Sequence, residues 1–299
     1  MQKTITLYEN FRSLFYVPFY LAFEIGSFVG EGLSMEFGEC EKPGKGAEAS
    51  AGRHDALSWG GPMRVLHFHD KDPSCEMVCF CEVVCRDPFY IVSNKKFKNF
   101  ELGDLKDITL GSFSEAVTPW LCLQDDCRRA DIDPNTIARI STQTVSQNIE
   151  SWKNRDIAAV QLHEPFAEIL IREGGHILYQ QAHRGACSYT SLYANRSMLD
   201  ARPDDMQAIT NAMAKSLGWV HCHSATEIAS AVKPFFREFS GDILTSAIER
   251  YKKNGIWNKS TLLDVEGFER LRTALLTGGL INRVIPYDEV VETRFAIQT

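Results

Sequence analysis

Four cysteines fall within eleven residues, "CEMVCFCEVVC" at 75–85, and His67 and His69 stand just upstream. Thiolates and imidazoles are the ligands of zinc and iron sites, so metal binding is the first chemistry to weigh. The spacing opposes it. C-x3-C-x-C-x3-C is not a zinc pattern, and on an extended strand Cys75 and Cys85 would lie roughly 33 Å apart. Only Cys79 and Cys81, about 6.6 Å apart, could share an ion. All four cysteines occupy odd positions, which one strand face would gather together with Met77 and Val83. Free cysteine packs as a small hydrophobe. A parallel core strand with one dry face accounts for the run, and no metal or cofactor is expected. The nine cysteines of the chain are odd in number and unevenly spaced. That is no disulfide framework, and reduced thiols fit a reducing compartment.

Three other segments carry donors and aromatics next to expected helix starts, where free backbone N–H groups bind anions and polar atoms. "ENFRS" offers Asn10, Arg12 and Ser13 as donors, with Phe11 and Tyr16 as aromatic faces; Arg12 could equally be a solvated charge. "SWGGP" offers Gly60 and Gly61, which permit close backbone approach, and Trp59, which stacks on a planar ligand or caps the core. Arg64 follows in the next turn. "GSFSE" offers Ser112 and Ser114, with Glu115 placed for a capping box from Ser112. Glu115 favours a cationic or heteroaromatic ligand, whereas Arg12 and Arg64 favour an anionic one.

The elements that must hold these loops alternate. "KTITLYENF" reads as a strand, "YVPFYLAFEIGSF" as a helix stopped by Gly26, and "LSMEFGE" as a strand. "CEKPGKGAEASAGRHD" reads as loop. "ALSW" is a strand leading to a helix opened by Pro62. A second strand–helix set spans 87–180, "CSYTSLYANRSML" reads as extended, and helices are expected at 207–223, 224–239, 241–253 and 264–276. This is an α/β chain in two lobes with a helical tail.

Composition excludes several classes. The net charge is −7 and no long Lys/Arg block occurs, so no nucleic-acid surface is expected. No run of about 18 apolar residues is present, so no direct membrane insertion is expected. The chain as given shows no export signal, which predicts a periplasmic protein if a signal has been removed and a cytoplasmic one otherwise.

Five segments in order carry a family resemblance: "LFYVPFYLAFEIGSFVGEGLSMEF" (14–37), "ALSWGGPMRVL" (56–66), "DLKDITLGSFSEAVTPWL" (104–121), "RDIAAVQLHEPFAEIL" (155–170) and "YANRSMLDARPDDMQAITNAMAKSLGWV" (193–220). Together they resemble the ABC-transporter substrate-binding proteins of the nitrate, taurine, sulfonate and thiamine-pyrimidine class. The chain departs from them between Gly46 and Trp59, where the family has a longer helix. The resemblance implies a two-lobed, periplasmic-binding-protein-like (Venus flytrap) fold. Lobe I would be 1–86 with 189–299 and lobe II 87–188, with crossings near 85–90 and 186–191. It also implies that His163 and Glu164 face the cleft. The implied function is capture of a small organic molecule for an ABC-type importer, with a permease as partner. Relatives of the fold include enzymes of pyrimidine synthesis, desulfination and decarboxylation, so a cytosolic enzyme or ligand sensor is the alternative. His163–Glu164 and His67/His69 are the candidate acid–base groups for such an enzyme.

Overall fold

The computed structural model describes residues 4–40 and 42–297. Among them the strands are β1 (Ile5–Tyr8), β2 (Met35–Gly38), β3 (Ala56–Gly60), β4 (Met77–Val84), β5 (Phe89–Ser93), β6 (Leu110–Gly111), β7 (Arg139–Ile140), β8 (Ala159–His163), β9 (His176–Gln180) and β10 (Thr190–Asn195). They form two five-stranded sheets, ordered β2-β1-β3-β10-β4 and β7-β6-β8-β5-β9. The chain passes from the first sheet to the second between Val84 and Phe89, and returns between Gln180 and Thr190.

Parallel pairing follows from the helices between strands. β1 pairs in parallel with β2 and β3, since helices Val17–Glu24 and Lys45–Ser50 bring the chain back each time. The first of these is apolar nearly all round, and its first six residues are buried. Gly26, at φ 70°, then turns the chain out of it. β10 returns from the other sheet and pairs antiparallel with both β3 and β4.

Two stretches differ from the sequence expectation. Residues 45–50 form a helix inside the stretch read as loop. Its buried face is small rather than apolar: Gly46, Ala47 and Ser50. A Cβ on Gly46 would sit 2.8 Å from both the Glu9 carbonyl and Ser58 Oγ, so closeness of approach replaces hydrophobic periodicity. After β10, "RSML" is not extended but opens the helix Arg196–Ala201.

The cysteine strand is also placed differently. β4 is antiparallel to its neighbour and lies at the sheet edge, yet all eight of its residues are buried. The C-terminal chain covers that edge. Glu82 N–H donates to Thr261 O (2.9 Å), Asn258 N–H to Val83 O (2.9 Å) and Glu292 N–H to Cys79 O (2.8 Å). Both faces are therefore dry, and Cys75 precedes the strand. Burial pushes the Cys79 and Cys81 thiols far up. His67 Nδ1 meets Leu280 O at 3.2 Å and His69 Nε2 meets Met77 O at 2.8 Å, so both rings serve backbone carbonyls.

The crossings are tied by a buried ion pair. Arg184 of the return segment donates to Asp87 Oδ2 of the outward one at 2.7 Å, and through Nε to Asp126 at 3.0 Å. The C-terminal helices reach across as well. Gly241–Asn254 packs on Phe166–Arg172, and Val265–Thr277 packs on Thr118–Arg129. Among the described residues no helix is long and apolar enough to cross a membrane.

Candidate ligand site between the lobes

A small cavity of about 30 Å³ lies where the two sheets face one another. The first-sheet side contributes Asn10, Phe11, Phe15, Tyr16, Gly61, Met63 and Arg64. The second-sheet side contributes Phe89, Ala116 and Thr118, and Tyr189 comes from the return crossing. The volume admits a water or two but no organic ligand. The lobes are thus closed on each other, and a ligand enters only if they part. Larger depressions exist on the surface, such as that between Glu168 and Lys253. The small cavity is the better candidate because helix N-termini from both sides end on it.

Those helices are Met63–Lys71 and Thr118–Arg129. Neither has a side-chain cap, so the positive ends of two helix dipoles lie at the cavity, although Arg64 N–H donates to Gly61 O (3.0 Å) and Pro119 has no N–H to offer. Arg64 adds a full charge. Its guanidinium lies over Gly44, where a Cβ would be 2.3 Å from Nη1 and where φ of 91° favours glycine. Among the described residues Arg64 pairs with no carboxylate, and its Nε is buried without a partner. Asn10 is locked: Oδ1 accepts from Gly44 N–H (2.9 Å) and Nδ2 donates to Tyr16 Oη (3.1 Å). The Tyr16 hydroxyl, held protonated by burial, keeps its own proton for an acceptor in the cavity.

The other expected site residues have different partners. Arg12 lies in a cage, donating to Glu9 (3.0 and 3.1 Å), Glu39 (3.2 Å) and Phe235 O (3.1 Å), with its guanidinium 5.4 Å from the Tyr20 ring centre. Trp59 is fully buried and stacks on Phe19 at 4.6 Å, which makes it core rather than a ligand platform. Gly60 is needed by Tyr193, whose hydroxyl would lie 2.6 Å from a Cβ there. The Ser112–Glu115 capping box does not form, because the helix starts at Thr118. Ser112 Oγ instead accepts from Arg139 (3.2 Å), and Glu115 accepts from Val145 N–H (2.9 Å) at the start of another helix. Ser114 is exposed and donates to Glu115. Phe15, Met63, Phe89, Ala116, Thr118 and Tyr189 line the cavity without having been singled out. Only Thr118, beside Pro119 at a helix start, carried a usable sequence signal.

His163 and Glu164 end β8 and part company. The His163 ring sits among Phe11, Phe15, Phe89, Phe113 and Phe166. Burial drives its pKa down to about 4, so the ring is neutral. Nδ1 lies 2.7 Å from Glu164 O and 3.2 Å from Ser13 Oγ. A carbonyl only accepts, so Nδ1 carries the proton and cannot take one from Ser13. The contact joins the two sides of the cleft but is no nucleophile–base pair. Glu164 is fully buried and pairs with Arg250, while its Oε2 accepts from Glu168 N–H at 2.9 Å. Burial still lifts its pKa to about 7, against the pull of Arg250.

No family model matches the chain. Over 291 residues it is 25% identical to "Putative binding protein YtlA" of Bacillus subtilis (strain 168), covering 96% of this chain and 87% of the relative. It superposes on the periplasmic aliphatic sulphonate binding protein SsuA of Escherichia coli with a TM-score of 0.78 at 10% identity, over 98% of this chain and 93% of that one. It also superposes on the desulfurization enzyme DszB with a TM-score of 0.70 at 12% identity, over 98% and 97%. The chain has the two-lobed α/β fold of the ABC-import substrate-binding proteins, a fold that the desulfurization enzyme shares.

Proposed function

We propose that the protein is a solute-binding protein that closes lobe I (1–86 with 189–299) and lobe II (87–188) around a small organic sulfonate and presents it to an ABC-type permease. The observation that carries this reading is Arg64, a cation with no carboxylate partner among the described residues, on the wall of the interlobe cavity. Two helix N-termini and the Tyr16 hydroxyl add to a field that favours an anion. The carboxylates that would have favoured an amine or aminopyrimidine are consumed: Glu115 by a helix start and Glu164 by Arg250. SsuA, with the same fold, binds aliphatic sulphonates. Catalysis is the weaker reading, because the cleft's Ser13–His163 contact has its proton on the wrong side for a base. Calorimetric titration of the wild-type protein with alkanesulfonates, nitrate, an aminopyrimidine and an aromatic carboxylate tests it. Sulfonate binding is expected; binding of the aminopyrimidine alone would refute it.

A further inference from the structure

The walls of the cavity also bear on the end of the ligand that carries no negative charge. Apart from Arg64, its charged group, and the Asn10 amide, locked by Gly44 and Tyr16, the cavity is bounded mainly by Phe11, Phe15, Met63, Phe89 and Ala116, with hydroxyls from Tyr16, Thr118 and Tyr189. No carboxylate lines it among the described residues. Two carboxylates adjoin lining residues in sequence, and both are spoken for. Glu9, next to Asn10, is held by both arms of Arg12 and by the Tyr20 hydroxyl at 3.2 Å. Glu115, next to Ala116, accepts from Val145 N–H.

We infer that the site selects sulfonates whose far end is uncharged and apolar, and rejects zwitterionic aminosulfonates. The inference rests on the sulfonate reading. With the lobes reclosed on a ligand, an ammonium held between these walls would lose its water and meet aromatic and thioether surface, with no carboxylate among the lining residues to repay it. Its repulsion from Arg64 would act in the same direction. A methyl group in the same place loses nothing and gains apolar contact.

Propane-1-sulfonate and taurine form the test pair, since they match in length and differ only in a terminal methyl against a terminal ammonium. Titrated calorimetrically into the wild-type protein at pH 7.5, propane-1-sulfonate should bind at least about 100-fold more tightly than taurine. Taurine binding as tightly as propane-1-sulfonate, or more so, would overturn the inference and leave the sulfonate reading standing. Binding of neither would overturn both. Tighter binding of propane-1-sulfonate supports both.

Discussion

Replacing Arg250 by Met should destabilise the protein by an amount that grows with pH. Arg250 is the cation that faces the fully buried Glu164, and it also donates to Glu168 at 2.6 Å. Stranding a buried carboxylate costs about 3–5 kcal/mol if it stays ionised. Glu164 has a cheaper route, which is to take up a proton. Its pKa is already raised from 4.5 to about 7 by burial, with Arg250 holding it down. Without Arg250 it rises further, so the side chain stays neutral across the neutral range. The sign follows from the raised value. The folded state holds a proton that the unfolded state has released, so this group's stabilisation is complete below 4.5 and declines as pH rises through 7. In the wild type the decline ends near 7; in Arg250→Met it continues at about 1.4 kcal/mol per pH step. The extra loss should be within about 0.5 kcal/mol at pH 6, apart from a small term for the partly exposed Glu168 pair. It should reach about 1.4 kcal/mol at pH 8 and be larger again at pH 9. Urea unfolding at the three pH values, with unchanged m-values, measures it. A penalty of 3–5 kcal/mol already present at pH 6, or one that does not change with pH, would refute the reasoning.

Trp59→Ala should cost about 3–5 kcal/mol in stability, because it empties core space against Phe19 and Tyr20; a Trp59→Phe protein that still folds should bind ligand as the wild type does in the same titration. Thiol labelling under native conditions, read by peptide mass spectrometry, should modify the exposed Cys222 first and leave Cys79, Cys81, Cys122, Cys127 and Cys187 unmodified until denaturation. Stoichiometric zinc or iron held through Cys79 and Cys81 would contradict the dry-strand account.

The alternation of strand and helix was legible because each element's periodicity or stop residue lies within its own segment, as with Val17–Glu24 and Gly26. Elements built on close approach were not. Lys45–Ser50 buries glycine, alanine and serine, which carry no hydrophobic period. The pairing of β4 depends on a strand more than a hundred residues later and on a covering tail, neither of which leaves a local mark. The candidate site was legible in part. Asn10, Phe11, Tyr16, Gly61 and Arg64 line the cavity, whereas Arg12 is neutralised by Glu9 three residues before it, Glu115 is held by another element's helix start and Glu164 by Arg250, distant in sequence. Charge type is written in the sequence, but whether a charge is free for a ligand depends on tertiary partners. That is why the sequence left the sign of the ligand open, and why the proposal of an anion rests on tertiary geometry.

The central claim is that Arg64 meets the ligand's charge. It is tested most directly by titrating propane-1-sulfonate into the wild-type protein and into Arg64→Met, with circular dichroism confirming that both are folded. Methionine keeps an apolar stem out to about the position of Nε and removes the charged end of the guanidinium, so the cavity walls stay in place. A charge-assisted hydrogen bond lost from an enclosed site is worth about 1.5–3 kcal/mol, so the dissociation constant should rise by about 10- to 150-fold. An unchanged dissociation constant in the folded variant would contradict the account.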